Sequence, residues 1–77
     1  MDKKIALIRI GTNIKRIRNE KNLSQQDLAA ACNFEKSNMS RIEAGRTNLT
    51  VGTLLKICET LQVSLVEVVD IENSMIQ

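Results

Sequence analysis

Apolar residues recur along this chain at intervals of three and four. The first set is Ile5, Leu7, Ile8, Ile10, Ile14 and Ile17, and from Ile10 onward its spacing of four and then three is that of one helix face. Between Ile5 and Ile10 the spacing fits either a helix or an extended arm, and Gly11 keeps both open. The first helix is expected to end near Lys21, with Asn22 as a left-handed cap. Ser24 followed by Gln25, Gln26 and Asp27 gives the second helix a capping-box-like start, and its apolar face is Leu28, Ala29 and Cys32.

Asparagine tolerates a positive φ better than other non-glycine residues, so Asn33 ends that helix and forms a tight turn with Phe34. The third helix then runs from about Glu35 to Ala44, where Gly45 stops it. Met39 and Ile42 fall on its inner side, while Lys36, Ser37, Asn38, Ser40 and Arg41 are left outward or flanking. Arg46 to Leu49 form a loop. Thr50 caps a fourth helix carrying Leu54, Leu55, Ile57, Cys58 and Leu61, and Ser64 with Glu67 caps a fifth.

Composition narrows the architecture. Phe34 is the one aromatic residue, there is no proline and there are three glycines, so the core must be built from Ile, Leu, Val, Met and Ala. The expectation is an all-α, compact five-helix bundle without strands of consequence. At 77 residues the chain holds one domain, 1–77, with its core at about 10–69. Residues 1–9 form an N-terminal arm or a helix extension, and residues 73–77 a flexible tail.

The net charge of +2 neither demands nor excludes a polyanionic partner, so the distribution of charge decides. From Asp2 to Lys21 the bases Lys3, Lys4, Arg9, Lys15, Arg16, Arg18 and Lys21 outnumber Asp2 and Glu20, whereas from Glu59 onward all the charges are acidic. The basic half should face any nucleic acid. Cys32 and Cys58 have no histidine to accompany them and fall at no metal-ligand spacing, so they are expected to be buried free thiols with no metal. No apolar run has the length of a membrane span and the N-terminus lacks a cleavage pattern, which points to the cytoplasm. With no histidine, no carboxylates paired in a cleft and no glycine-rich loop, nothing here is equipped for catalysis or calls for a cofactor.

Two short helices joined by a tight turn, with small Ala29 at their crossing, form a unit that can present one helix to the major groove. The stretches Leu23-Ser24-Gln25-Gln26-Asp27-Leu28-Ala29, Met39-Ser40-Arg41-Ile42-Glu43-Ala44-Gly45 and Leu54-Leu55-Lys56-Ile57-Cys58 follow one another in this order. In these motifs the chain, from about Ile10 to Val69, resembles the lambda-repressor-like (Cro and phage-repressor, Xre-type) helix-turn-helix family. The resemblance implies a sequence-specific transcriptional regulator that binds a palindromic operator in double-stranded DNA as a homodimer, with its third helix in the major groove.

Carried onto this sequence, the resemblance gives Gln25 a phosphate contact at the start of helix two. It gives Lys36, Ser37 and Asn38, with Arg41 one turn later, the reading of base edges. Arg46, Thr47 and Asn48 would lie along the DNA backbone, and Arg18 would pair with Glu43 as a structural ion pair. Without the resemblance, the exposed side chains among these are a solvated face. The sequence departs from the family at Asn22 and Asn33, which replace turn glycines, and at Glu35, which stands where a serine or threonine cap is usual.

Dimerisation is expected through helix five and the residues after it, with Leu65, Val66, Val68, Val69, Ile71, Met75 and Ile76 supplying apolar surface. The acids Glu59, Glu67 and Asp70 leave open a contact with a subunit of RNA polymerase. The alternative is a protein-interaction module or antitoxin, partner to a toxin or another enzyme, that keeps the fold with weak or no DNA binding. Low net charge and Glu35 motivate it.

Overall fold

The computed structural model describes residues 2–69. Five helices follow in order: α1 (Lys3–Glu20), α2 (Gln25–Ala31), α3 (Lys36–Glu43), α4 (Val51–Leu61) and α5 (Leu65–Val69). Among the described residues there is no strand. None of the helices is long and apolar enough to cross a membrane.

The ambiguous stretch from Ile5 to Ile10 is helical, so α1 is one continuous helix of 18 residues and the extended-arm alternative falls. Its start is fixed by Asp2, whose carboxylate accepts the Lys4 N–H at 2.8 Å. Its end is a Schellman-type turn: Asn22 takes φ 59°, and the Leu23 N–H donates to the Arg18 carbonyl at 3.1 Å.

α2 opens with a complete capping box. The Ser24 side chain accepts from the Asp27 N–H, and the Asp27 carboxylate accepts the Ser24 N–H at 3.0 Å. Hydrogen bonds from the Ser24 backbone N–H and, second to it, from the Ser24 side chain hold the Asp27 carboxyl below the usual aspartate range. Asn33, at φ 61°, turns the chain into α3, and Gly45, at φ 73°, turns it out again. Thr50 caps α4 by accepting the Thr53 N–H at 3.1 Å. That helix ends at Gln62 in the left-handed region, φ 59°, without the glycine or asparagine that would mark the stop in sequence. Ser64 donates its N–H to the Glu67 carboxylate at 2.8 Å to open α5.

Ile14, Leu28, Met39, Ile57, Leu61 and Val68 are fully buried and draw all five helices onto one core. The Asn13 side chain donates to the Val68 carbonyl at 2.8 Å, which fastens α1 to α5. Two sequence expectations change here. Leu55 is half exposed, because the inner face of α4 is set by Leu54, Ile57, Cys58 and Leu61 and Leu55 lies a helical step outside that row. Val68 belongs to the core and is lost to any dimer surface. Leu65 and Val69 pack partly against the core, and Val66 is the exposed apolar residue of α5. Ile71, Met75 and Ile76, Asp70 and the expected tail at 73–77 lie outside the described residues.

Candidate nucleic-acid interface

α2 and α3 pack on each other more extensively than any other pair of helices. Ala29 of α2 is 1% exposed, so a larger side chain there would have to displace the atoms packed around it. Met39, Ile42 and Glu43 line the buried side of α3, which leaves Lys36, Ser37, Asn38, Ser40 and Arg41 exposed. Arg41 follows Ser37 by four residues and Asn38 by three, so the three side chains share one face. The short α3 therefore presents a polar, cation-bearing surface on a rigid apolar base.

That base is reinforced by charge. Arg18 of α1 and Glu43, the last residue of α3, form a two-point ion pair, with Nε to Oε2 at 2.7 Å and Nη2 to Oε1 at 3.0 Å. Both side chains are nearly excluded from solvent, and the hydrogen bond to Glu43 raises the Arg18 pKa against the opposing effect of burial. Arg18 also donates through Nη1 to the Leu23 carbonyl at 2.8 Å and to the Asn19 side chain at 3.2 Å. No buried polar side-chain atom among the described residues lacks a partner.

Gln25, the first residue of α2, is half-buried and not simply a free side chain facing solvent. Its Nε2 donates to Glu43 Oε1 at 3.0 Å, so one amide N–H is committed inward and one remains. This link joins residues 18 apart and has no local sequence signal; only the packing of α2 on α3 brings the two together. Arg46 and Asn48 are exposed and Thr47 half-buried in the loop after Gly45. Glu35 occupies the N-cap of α3 with an extended backbone, but its carboxylate makes no capping hydrogen bond and remains exposed.

Cys32 and Cys58 are free and buried. The Cys32 thiol donates to Thr60 Oγ1 at 3.4 Å, and burial, with a smaller contribution from Glu67, pushes the Cys58 thiol up and away from the reactive thiolate. No group of acidic, cysteine or histidine side chains among the described residues could hold a metal ion.

A family model described as helix-turn-helix matches residues 14–68. An uncharacterized HTH-type transcriptional regulator of Sinorhizobium fredii, y4dJ, is 42% identical over 60 residues, 78% of either chain. The control protein C.MunI of a Mycoplasma species is 39% identical over 68 residues, which span 86% of this chain and 92% of that one. Among solved structures, the wild-type restriction-modification controller protein C.Esp1396I superposes with a TM-score of 0.79 at 35% identity, over 92% of each chain.

Proposed function

This chain belongs to the helix-turn-helix family and is a DNA-binding transcriptional regulator of the controller-like kind, and we propose that it binds a palindromic operator as a homodimer with α3 in the major groove. The observation that carries this reading is the exposed row Lys36, Ser37, Asn38 and Arg41, held on a helix whose other side is fully packed. Arginine and lysine suit the paired acceptors of guanine, and asparagine suits adenine. Gln25 offers its uncommitted amide N–H to a phosphate at the start of α2, where free backbone amides also point. Arg46, Thr47 and Asn48 follow the DNA backbone and set register rather than sequence preference.

One module reaches a single half-site, so pairing two copies supplies both affinity and the two-fold symmetry of the site. With Val68 in the core, the dimer surface on the described part of α5 reduces to Val66, 67% exposed, flanked by the partly covered Leu65 and Val69. The exposed Leu55 of α4 adds apolar area of the same kind. Of the acids that would meet a polymerase subunit, Glu67 is engaged in capping α5, which leaves Glu59 among the described residues. Control of a restriction-modification gene set in the cytoplasm is the setting favoured by the likeness to the restriction-modification controller protein C.Esp1396I. One observation favours the protein-interaction reading instead: the uncapped Glu35 carboxylate stands at the start of α3, where it would repel phosphate.

The test is binding of the purified protein to duplex from the upstream region of its own gene and to random duplex, across a series of salt concentrations, with the mass of the free protein measured by light scattering. Tight, selective, salt-sensitive binding by a dimer is the expected result. A species that stays monomeric at high concentration and prefers no fragment in a genomic selection would refute the operator reading.

A further inference from the structure

The first three turns of α1 precede the region matched by the family model, which starts at residue 14, and the structure lays them across the exit of α3. At Gly11 an added Cβ would stand 2.5 Å from the Glu43 carbonyl oxygen. At Gly45 an added Cβ would stand 2.7 Å from the Ile8 Cα. The two contacts fix the direction of travel: moving back along α1 from Gly11 to Ile8 means moving forward from the end of α3 to Gly45. The turn of α1 before Ile8 therefore continues toward the loop that starts at Arg46.

Lys4 precedes Ile8 by four residues and lies on the same helix face. Its Cα–Cβ bond tilts toward the helix N-terminus, away from the Ile8–Gly45 contact and toward the start of α1. Lys4 and Arg46 are both exposed, and neither is paired with an acid among the described residues. The nearest acid in sequence, Asp2, spends a carboxylate oxygen on capping the Lys4 N–H. Exposed cations from two separate elements thus flank the Ile8–Gly45 contact, and a polyanion passing along that edge would meet both.

We infer that Lys4 is a DNA-phosphate contact that prolongs the backbone-tracking edge of Arg46, Thr47 and Asn48 beyond the α3–α4 loop. The inference rests on the DNA-binding reading of α3. It assigns α1 two tasks, to buttress the reading helix through Gly11 and Ile8 and to hold the flanking phosphate through Lys4. A phosphate contact carries no sequence information, so it enlarges the sequence-independent part of binding.

Lys3 provides the control, since it has the same charge but lies about 140° around the helix from Ile8. Binding of a random-sequence duplex is measured against salt concentration for the wild type, Lys4→Gln and Lys3→Gln, with helical content checked by circular dichroism. Loss of one phosphate contact makes the plot of log affinity against log salt shallower by about one. The expected result is that change for Lys4→Gln and an unaltered slope for Lys3→Gln. Equal slopes for all three proteins, or equal reductions in both variants, would overturn the assignment of Lys4 alone. Failure of the wild type to bind the duplex at low salt would overturn the DNA reading and this inference with it.

Discussion

Arg18 and Glu43 meet through two hydrogen bonds, at 2.7 and 3.0 Å, that tie α1 to the end of α3. The pair is also a junction. Arg18 holds the carbonyl of Leu23, which leads into α2, and Glu43 receives the amide of Gln25, which starts it. One charged contact thereby fixes the end of α1, the start of α2 and the end of α3 relative to one another. The orientation of the outward face of α3 follows from that junction.

Breaking the pair from one side strands a buried charge. Glu43→Ala is expected to lower stability by about 3–5 kcal/mol, measured as a shift of the urea midpoint at constant slope. The double variant Arg18→Met with Glu43→Leu should regain a large part of that loss, because a buried pair replaced by packed apolar side chains is often close to neutral. A loss below about 1 kcal/mol for Glu43→Ala would show that the pair behaves like a surface ion pair.

Two glycines in helices should respond in opposite directions to alanine. Gly11→Ala gains up to about 1 kcal/mol of helix propensity, but its Cβ would lie 2.5 Å from a backbone carbonyl that cannot rotate away. Overpacking costs about 1–3 kcal/mol, so the variant should be destabilised on balance. At Gly52 the nearest atom to an added Cβ is 3.8 Å away, and Gly52→Ala should stabilise by about 0.4–1 kcal/mol. Thermal unfolding of both variants checks this, and a Gly11→Ala protein as stable as the wild type would contradict the close approach of α1 to α3.

On DNA, Arg41 and Arg46 should differ in kind rather than in size of effect. Arg41→Ala is expected to cost about 1–3 kcal/mol at the operator and to relax preference at one base pair. Arg46→Ala should weaken operator and random duplex alike. Equal losses on both duplexes for Arg41→Ala would remove it from the base-reading set.

Asp27 gives the acid limb of stability a predictable sign. Its folded pKa is depressed by hydrogen bonds from Ser24, so its contribution is present above the unfolded aspartate value and fades as the pH falls through the folded one. Asp27→Asn should therefore be less stable than the wild type near neutrality, with the gap closing in acid. Unfolding midpoints collected down a pH series test this, and a gap that stays constant would show that the carboxylate charge plays no part.

By itself the sequence determined the helices and those of their ends that carry a cap or a turn residue, because these depend on neighbours a few residues apart, while it left Ile5 to Ile10 open between helix and arm. Ser24 with Asp27, Thr50, and Ser64 with Glu67 are caps that close over one turn, while Asn22, Asn33 and Gly45 accept a positive φ in their own backbone. The same local periodicity set Met39 and Ile42 inward on α3 and left Lys36, Ser37, Asn38 and Arg41 outside. Tertiary structure decided what depends on how one helix crosses another. It took Val68 into the core, turned Leu55 out, tied Gln25 to Glu43 and carried Ile8 onto Gly45. Those relations join residues far apart in the chain, and a residue's type and spacing fix the direction of its side chain from its own helix axis but not what it meets there.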